Sequence, residues 1–261
     1  MAKFCSLFSS SRGNCTYIGT GESGILIDCG VSCKRTLETL SALGVDPARL
    51  RAVFVTHEHS DHVSGLRVFA GKFRIPVYAS AGTLSAIEQS GVLNGDFPAF
   101  IVPSCGLDLD DFFIRPFPLS HDAKEPVGFS VTTSDGRRVS VATDTGIVTD
   151  EILSAVAGSD LVLLESNHDV GMVQNGTYPY ATKRRILSAL GHLSNDVCAE
   201  TAVSLLNSGT TRFCLGHLSR DNNIPELAYQ TTFSELSLAG AKEGTDYQLR
   251  VAGFQPEMIY L

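Results

Sequence analysis

The sequence predicts an α/β (α+β) protein in which two sheets are covered by helices. Short apolar runs of strand type occur in both halves of the chain, and helical patterns alternate with them. The stretch from Phe100 to Val141 is dominated by strand signals and turns. A purely parallel, doubly wound sheet would lack that β-rich middle.

In chain order, residues 3–8, 15–19 and 25–28 read as strands, and 34–43 as a helix. Residues 51–56 form a buried strand, 63–73 a helix, 77–79 a short strand and 83–89 a helix. Within the β-rich stretch, turns fall at Ser134-Asp135-Gly136 and near Pro116 and Pro118. Residues 150–156 are helical, and 160–164 are an apolar run of buried-strand type. Helices are predicted over 181–190, 196–207 and 225–238, the last opening on Pro225, whose fixed φ suits a first helical position. Strands at 212–215 and 247–251 complete the pattern. Polar residues follow several strands, where loops at sheet edges build sites.

The 261 residues admit one large domain or two small ones. With 43% hydrophobic and 18% charged residues, the chain can fill a core and is not a disordered polymer. A net charge of −8 excludes a uniformly basic, nucleic-acid-coating surface but not a local basic groove. Seven cysteines at scattered spacings, with no CxxC pair, read as reduced thiols of a cytoplasmic protein. No secretory leader and no membrane-spanning run is expected. The composition leaves homo-oligomerisation open.

Three of the seven histidines lie in His57-Glu58-His59-Ser60-Asp61-His62, directly after the apolar run Ala52-Val53-Phe54-Val55. Imidazole and carboxylate are borderline ligands suited to zinc, manganese, iron or cobalt. One loop face cannot aim four such groups tetrahedrally at one centre without strain, so the segment points to two ions. A solvated histidine-rich loop would need no further donors. Here Ser120-His121, Thr143-Asp144 and Gly216-His217 each stand at the exit of another apolar run.

Thr56-His57-Glu58-His59-Ser60-Asp61-His62 resembles the HxHxDH signature of the metallo-β-lactamase superfamily. Leu26-Ile27-Asp28-Cys29-Gly30 resembles its first motif, and His121, Asp144 and His217 its third, fourth and fifth, in order. The resemblance implies a single domain over 1–261 with an αβ/βα four-layer sandwich and the site at one edge. It further implies that His57, His59 and His121 hold one ion and Asp61, His62 and His217 the other, with Asp144 bridging. The ions would be Zn²⁺ or Mn²⁺, and Fe²⁺ also suits the donors. Asp28 would steady the histidine loop without touching metal.

Glu165 ends a buried run, and Gly191-His192-Leu193-Ser194 follows a helix. This order is similar to the ribonuclease Z branch, which implies His192 as the acid for a leaving alkoxide, oriented by Glu165. A phosphodiester needs that proton, whereas thioesters and lactams need it less. With Ser9-Ser10-Ser11-Arg12-Gly13-Asn14 and Glu165-Ser166-Asn167-His168-Asp169, the whole chain resembles the WalJ/YycJ-type group. That resemblance implies a dinuclear phosphodiesterase using a metal-bound hydroxide, a 5′-to-3′ exonuclease acting on DNA in preference to RNA. Asp61, His192 and Glu165 would be its catalytic groups.

Ser10, Ser11, Arg12 and Asn14 can cradle a phosphate, although a plain hairpin turn explains the same residues. His168 can contact substrate or close a local turn. Lys183-Arg184-Arg185 after Tyr178 and Tyr180 can meet a nucleic-acid backbone, although a solvated helix face is the simpler reading. The alternatives are a hydrolase of a small thioester, lactone or lactam on the same metals, and a non-catalytic, metal-stabilised binding protein.

Overall fold

A computed structural model describes residues 1–21, 23–94, 97–253 and 256–261. The strands are β1 (Lys3–Ser10), β2 (Gly13–Gly19), β3 (Gly24–Ile27), β4 (Leu50–Phe54), β5 (Val77–Ala79), β6 (Ala99–Ile101), β7 (Leu107–Leu109), β8 (Phe112–Pro118), β9 (Val127–Thr133), β10 (Arg138–Ala142), β11 (Leu161–Glu165), β12 (Arg212–Gly216), β13 (Gln248–Val251) and β14 (Ile259–Tyr260). The helices are α1 (Cys33–Ala42), α2 (Ser60–Val63), α3 (Leu66–Phe73), α4 (Ala81–Gln89), α5 (Asp150–Val156), α6 (Val170–Asn175), α7 (Tyr180–Ile186), α8 (Asn195–Asn207) and α9 (Pro225–Leu238). Among the described residues the strands form two seven-stranded sheets, in agreement with the two sheets expected from the sequence.

The chain divides into two compact units. One comprises Met1–Pro116, Ala123–Arg137 and Gly253–Leu261, the other Phe117–Asp122 and Arg138–Ala252. The first unit carries the sheet β14-β1-β2-β3-β4-β5-β6, antiparallel from β14 to β3 and parallel from β3 to β6. Val53, Leu26 and Val77 from its strands pack with Leu66 and Phe69 of α3 in an apolar cluster. That burial fixes the height at which β3 and β4 end, and hence where the loops after them begin.

The second unit contains the parallel run β10-β11-β12-β13. Every residue of β11 is buried, as expected of a parallel strand covered on both faces. Val162, Leu164, Phe213 and Leu215 share a cluster with Leu205 of α8, Leu236 of α9 and Tyr247. The registers Ala142↔Leu164 and Glu165↔Gly216 bring the exits of β10, β11 and β12 to one sheet edge.

Three local differences from the sequence expectations have physical causes. The helix predicted over 63–73 begins only at Leu66, parted by Ser64-Gly65 from the short α2 that ends at Val63. Gly65 packs so closely that a Cβ there would lie 1.8 Å from the Val31 carbonyl oxygen. The helix predicted over 181–190 stops at Ile186, because the Ile186 carbonyl accepts from His192 N (3.1 Å). The six-residue α6, capped by Asp169 accepting from Met172 N, is too short to show periodicity.

Candidate metal centre

In the first unit β4 runs into Val55-Thr56-His57, and His59 is the cap residue of α2. A short loop into a short helix turns His57, His59, Asp61 and His62 toward one another. His57 Nε2 lies 3.1 Å from His59 Nδ1, and the His57 and His62 rings are 4.1 Å apart. Asp28, just after β3, has φ +62°, left-handed backbone that a non-glycine residue adopts at some cost. In that conformation its carboxylate accepts from Thr56 N (2.8 Å), from the Thr56 hydroxyl and from His62 Nδ1 (2.8 Å).

These contacts set the histidine tautomers. A carboxylate only accepts, so His62 Nδ1 carries the proton and Nε2 the lone pair. The Thr56 hydroxyl donates to Asp28 and so accepts from His57 Nδ1 (3.0 Å), which leaves the His57 lone pair on Nε2, toward His59. Two imidazole nitrogens bound to one tetrahedral zinc at 2.0–2.1 Å stand about 3.3 Å apart. The donor set therefore fits a divalent cation.

Asn14 lies beneath this loop. Its Nδ2 is 3.2 Å from Asp61 Oδ2 and 3.0 Å from His62 Nε2. Gly30 closes the same corner, where a Cβ would lie 1.6 Å from the Asp61 carbonyl oxygen. Ser10 and Asn14 tie the β1–β2 hairpin together, since Ser10 N donates to Asn14 Oδ1 and Arg12 N to Ser10 Oγ. Ser11 and Arg12 are exposed at its tip. Asn14 is thus placed against Asp61 and His62, apart from the exposed Ser11 and Arg12 with which the sequence groups it.

In the second unit the aligned strand exits present Asp144, Glu165 and His217 together. Asp144 (φ +63°) and His217 (φ +55°) share the left-handed backbone of Asp28. With His192 they offer donor atoms that all lie within 4.8 Å of one another, and all but His192 are buried. His217 Nε2 is 3.4 Å from Asp144 Oδ1. The Nδ1 rule recurs, since His217 Nδ1 donates to Glu165 Oε1 (2.9 Å) and His121 Nδ1 to the Gly191 carbonyl (3.0 Å). His121 Nε2 lies 3.9 Å from Asp144 Oδ1. Such outer contacts fix ring orientation and raise ligand basicity. Burial lowers the pKa of His121, against the opposing charge of Asp144.

Glu165 is the organising residue of this unit. Oε1 accepts from His217 Nδ1 and from His192 Nδ1 (2.8 Å), and Oε2 from Thr145 N (2.9 Å) and Leu193 N (3.4 Å). Burial pushes its carboxyl upward. The charge of His192 and the hydrogen bonds from both histidines outweigh that and hold it down to about 2. His192 is partly exposed, and its Nδ1–H is committed to Glu165, so Nε2 is the nitrogen left to exchange a proton.

His168 is buried, and burial lowers its imidazole to about 4. Two contributors escaped the sequence reading. Thr56 joins Asp28 to two histidines, and its signal was its place directly before His57. Asp122, 3.3 Å from His121 Nε2 and paired with Arg185, was signalled only by adjacency to His121.

The β-lactamase superfamily domain model matches residues 24–217. The exodeoxyribonuclease WalJ of Streptococcus pneumoniae is 37% identical over 250 residues, covering 95% of this chain and 93% of WalJ. The exodeoxyribonuclease YycJ of Bacillus anthracis is also 37% identical over 250 residues, covering 94% and 93%. Among solved structures, the metallo-β-lactamase fold protein YhfI of Bacillus subtilis has a TM-score of 0.73 at 17% identity, over 99% of this chain and 98% of YhfI. At that identity the likeness shows the fold alone, an αβ/βα sandwich of the metallo-β-lactamase type. The match of the domain model and the near full-length identity to WalJ and YycJ establish that the chain belongs to the β-lactamase superfamily.

Proposed function

We propose that this chain is a metal-dependent phosphodiesterase that degrades DNA from a 5′ end. The observation that carries the reading is the Glu165–His192 pair, a buried carboxylate 2.8 Å from Nδ1 of a partly exposed imidazole, beside Asp144 and His217. A phosphodiester's alkoxide leaves poorly unless protonated, and such a pair supplies the proton. The similarity to WalJ and YycJ, which are named exodeoxyribonucleases, supports DNA as substrate and attack from an end.

The ligand set carried over from the resemblance runs in sequence from His57 to His217, and residues 1–261 are taken as one functional domain. His57, His59 and His121 would hold one ion, Asp61, His62 and His217 the other, and Asp144 would be shared. Zn²⁺ and Mn²⁺ are the leading candidates, and Fe²⁺ accepts the same donors. When bound, the ions supply an acidified water and neutralise phosphate charge.

The remaining work belongs to the side chains. His192 Nε2 delivers its proton to the departing oxygen. Glu165 keeps His192 Nδ1 protonated and stabilises the imidazolium before transfer. Asp28 and Thr56 hold the His57 and His62 tautomers in which Nε2 is the ligand atom. The cytoplasm suits the seven cysteines, none of which forms a disulfide. No helix among the described residues is long and apolar enough to cross a membrane.

The test is incubation of purified protein with Mn²⁺ or Zn²⁺ and 5′-labelled single- and double-stranded DNA. Labelled mononucleotides should be released first. Label retained on shortening strands would reverse the polarity, and intact DNA under every metal would remove the reading. Efficient hydrolysis of a thioester or lactone that survives His192→Ala would favour the small-ester alternative.

A further inference from the structure

Helix α7 contains no buried residue, although most helices in proteins owe their stability to a packed face. At seven residues it is too short to persist on its own propensity. It is tethered instead. Lys183 Nζ donates to the Gln174 carbonyl (2.8 Å), and Arg185 pairs with both Asp122 oxygens. The chain then returns so tightly that a Cβ on Gly191 would lie 2.1 Å from the Ile186 carbonyl oxygen.

What the tethered helix presents is aromatic, basic and apolar. Tyr180 is 76% exposed, with the Arg184 guanidinium 5.9 Å above its ring. Leu187 and Leu190 are 41% and 53% exposed. Gln174, Tyr180, Lys183, Arg184 and Leu187 line a groove of about 460 Å³. From Val170 to Asn195 the chain has three basic residues and no acidic one, against a net charge of −8 overall. The neighbouring acids are engaged, Asp122 by Arg185 and Asp221 by the Tyr178 hydroxyl (2.6 Å).

We propose that α7 and the turn after it form the platform on which the substrate DNA strand lies as single strand, a base stacked on Tyr180 and phosphates at Lys183 and Arg184. The proposal rests on the nuclease reading and adds where the strand is held. Charge complementarity selects a polyanion, and an exposed aromatic ring beside cations selects unpaired bases, whose faces are open. Seven helical residues span about 10 Å, the rise of about three stacked nucleotides at about 3.4 Å each. The platform leads directly to the proton donor, because His192 N is bonded to Ile186, the last residue of α7.

The test is fluorescence anisotropy of the full chain with a labelled oligothymidylate, titrated with salt, alongside metal-dependent degradation of the same strand. Tyr180→Ala should weaken binding about 5- to 100-fold, as loss of one stacked base does, while Tyr180→Phe should bind like the parent. Lys183→Ala/Arg184→Ala should lower the slope of log K against log salt by about 1.4, two phosphates at about 0.7 each. Lys242→Ala, at an exposed cation elsewhere on this unit, should change neither. If the parent degrades DNA but the platform variants keep its affinity and salt slope, the platform is overturned and the nuclease reading stands. If the parent neither binds nor degrades the strand, both fall.

Discussion

In the first unit four proposed ligands occupy six consecutive residues, and Asp28 with Thr56 orients two of them, His57 and His62. In the second unit the donors come from strand exits far apart in sequence, brought together by parallel register, and Glu165 orients them. The two networks also differ in reach. Asp28 serves His62 and the Thr56 that holds His57, all proposed ligands or their supports. Glu165 serves one proposed ligand, His217, and one proposed proton donor, His192. On the proposed ligand set, Asp28 would therefore control metal retention, whereas Glu165 would couple retention to proton transfer.

The largest effect should come from breaking that coupling. Glu165→Gln keeps the shape but replaces a charged, two-oxygen acceptor with one oxygen and an NH₂ group. It should lower kcat on DNA by about 10²–10⁴-fold, as loss of a general acid does. His192→Ala should do the same, and the double variant should be little worse than the worse single, because groups acting as a unit are not additive. Additive losses in that cycle would show independent residues and dissolve the contrast. Asp28→Ala should weaken metal retention by about 10- to 100-fold, read by chelator competition. Excess metal should restore most of its activity and little of the Glu165→Gln variant's, because His192 would still lack the negative charge that stabilises its imidazolium.

The same contrast explains what the sequence revealed. Contiguous donors are visible as a string, so His57, His59, Asp61 and His62 stand out without any fold. His121, Asp144 and His217 each look like an ordinary turn residue, and only their order after apolar runs marks them. Nothing in the string places Asn14 against Asp61 and His62, because that contact depends on how the β1–β2 hairpin packs. The two-sheet class was legible from the β-rich middle. The two-residue β14 was not, since its pairing with β1 joins opposite ends of the chain and carries no local signal. Nor were the left-handed backbones of Asp28, Asp144 and His217, which long-range contacts impose on residue types that do not demand them.

A pH test addresses the second unit alone. Burial lowers His168 from 6.5 to about 4, with Glu165 opposing. Below pH 6.5 the unfolded chain binds a proton that the folded chain refuses until about pH 4. The stability contribution is therefore full above pH 6.5 and is lost as pH falls, by about 2 kcal/mol at pH 5. Urea denaturation at pH 7 and pH 5 should show the parent losing about 2 kcal/mol more than His168→Gln. Equal losses would mean that His168 titrates normally and is not sealed within the unit.

The smallest expected effects compare two serine caps. Ser32 Oγ accepts from Arg35 N at the start of α1, and Ser194 Oγ from Val197 N at the start of α8. Replacing either with alanine should cost about 1 kcal/mol, a fall in Tm of about 2–4 °C. Equal stability losses should nevertheless separate in catalysis. Ser32 is exposed and bonded to no proposed ligand, so its variant should keep the parent's kcat. Ser194 stands two residues after His192 and forms a bridge with His168, and the intervening Leu193 N donates to Glu165. Loosening that turn moves the proton donor relative to its carboxylate, so Ser194→Ala should lower kcat several-fold with little change in KM. Equal kcat in the two variants would show that Glu165 alone holds His192, and that the turn beneath it only carries the chain.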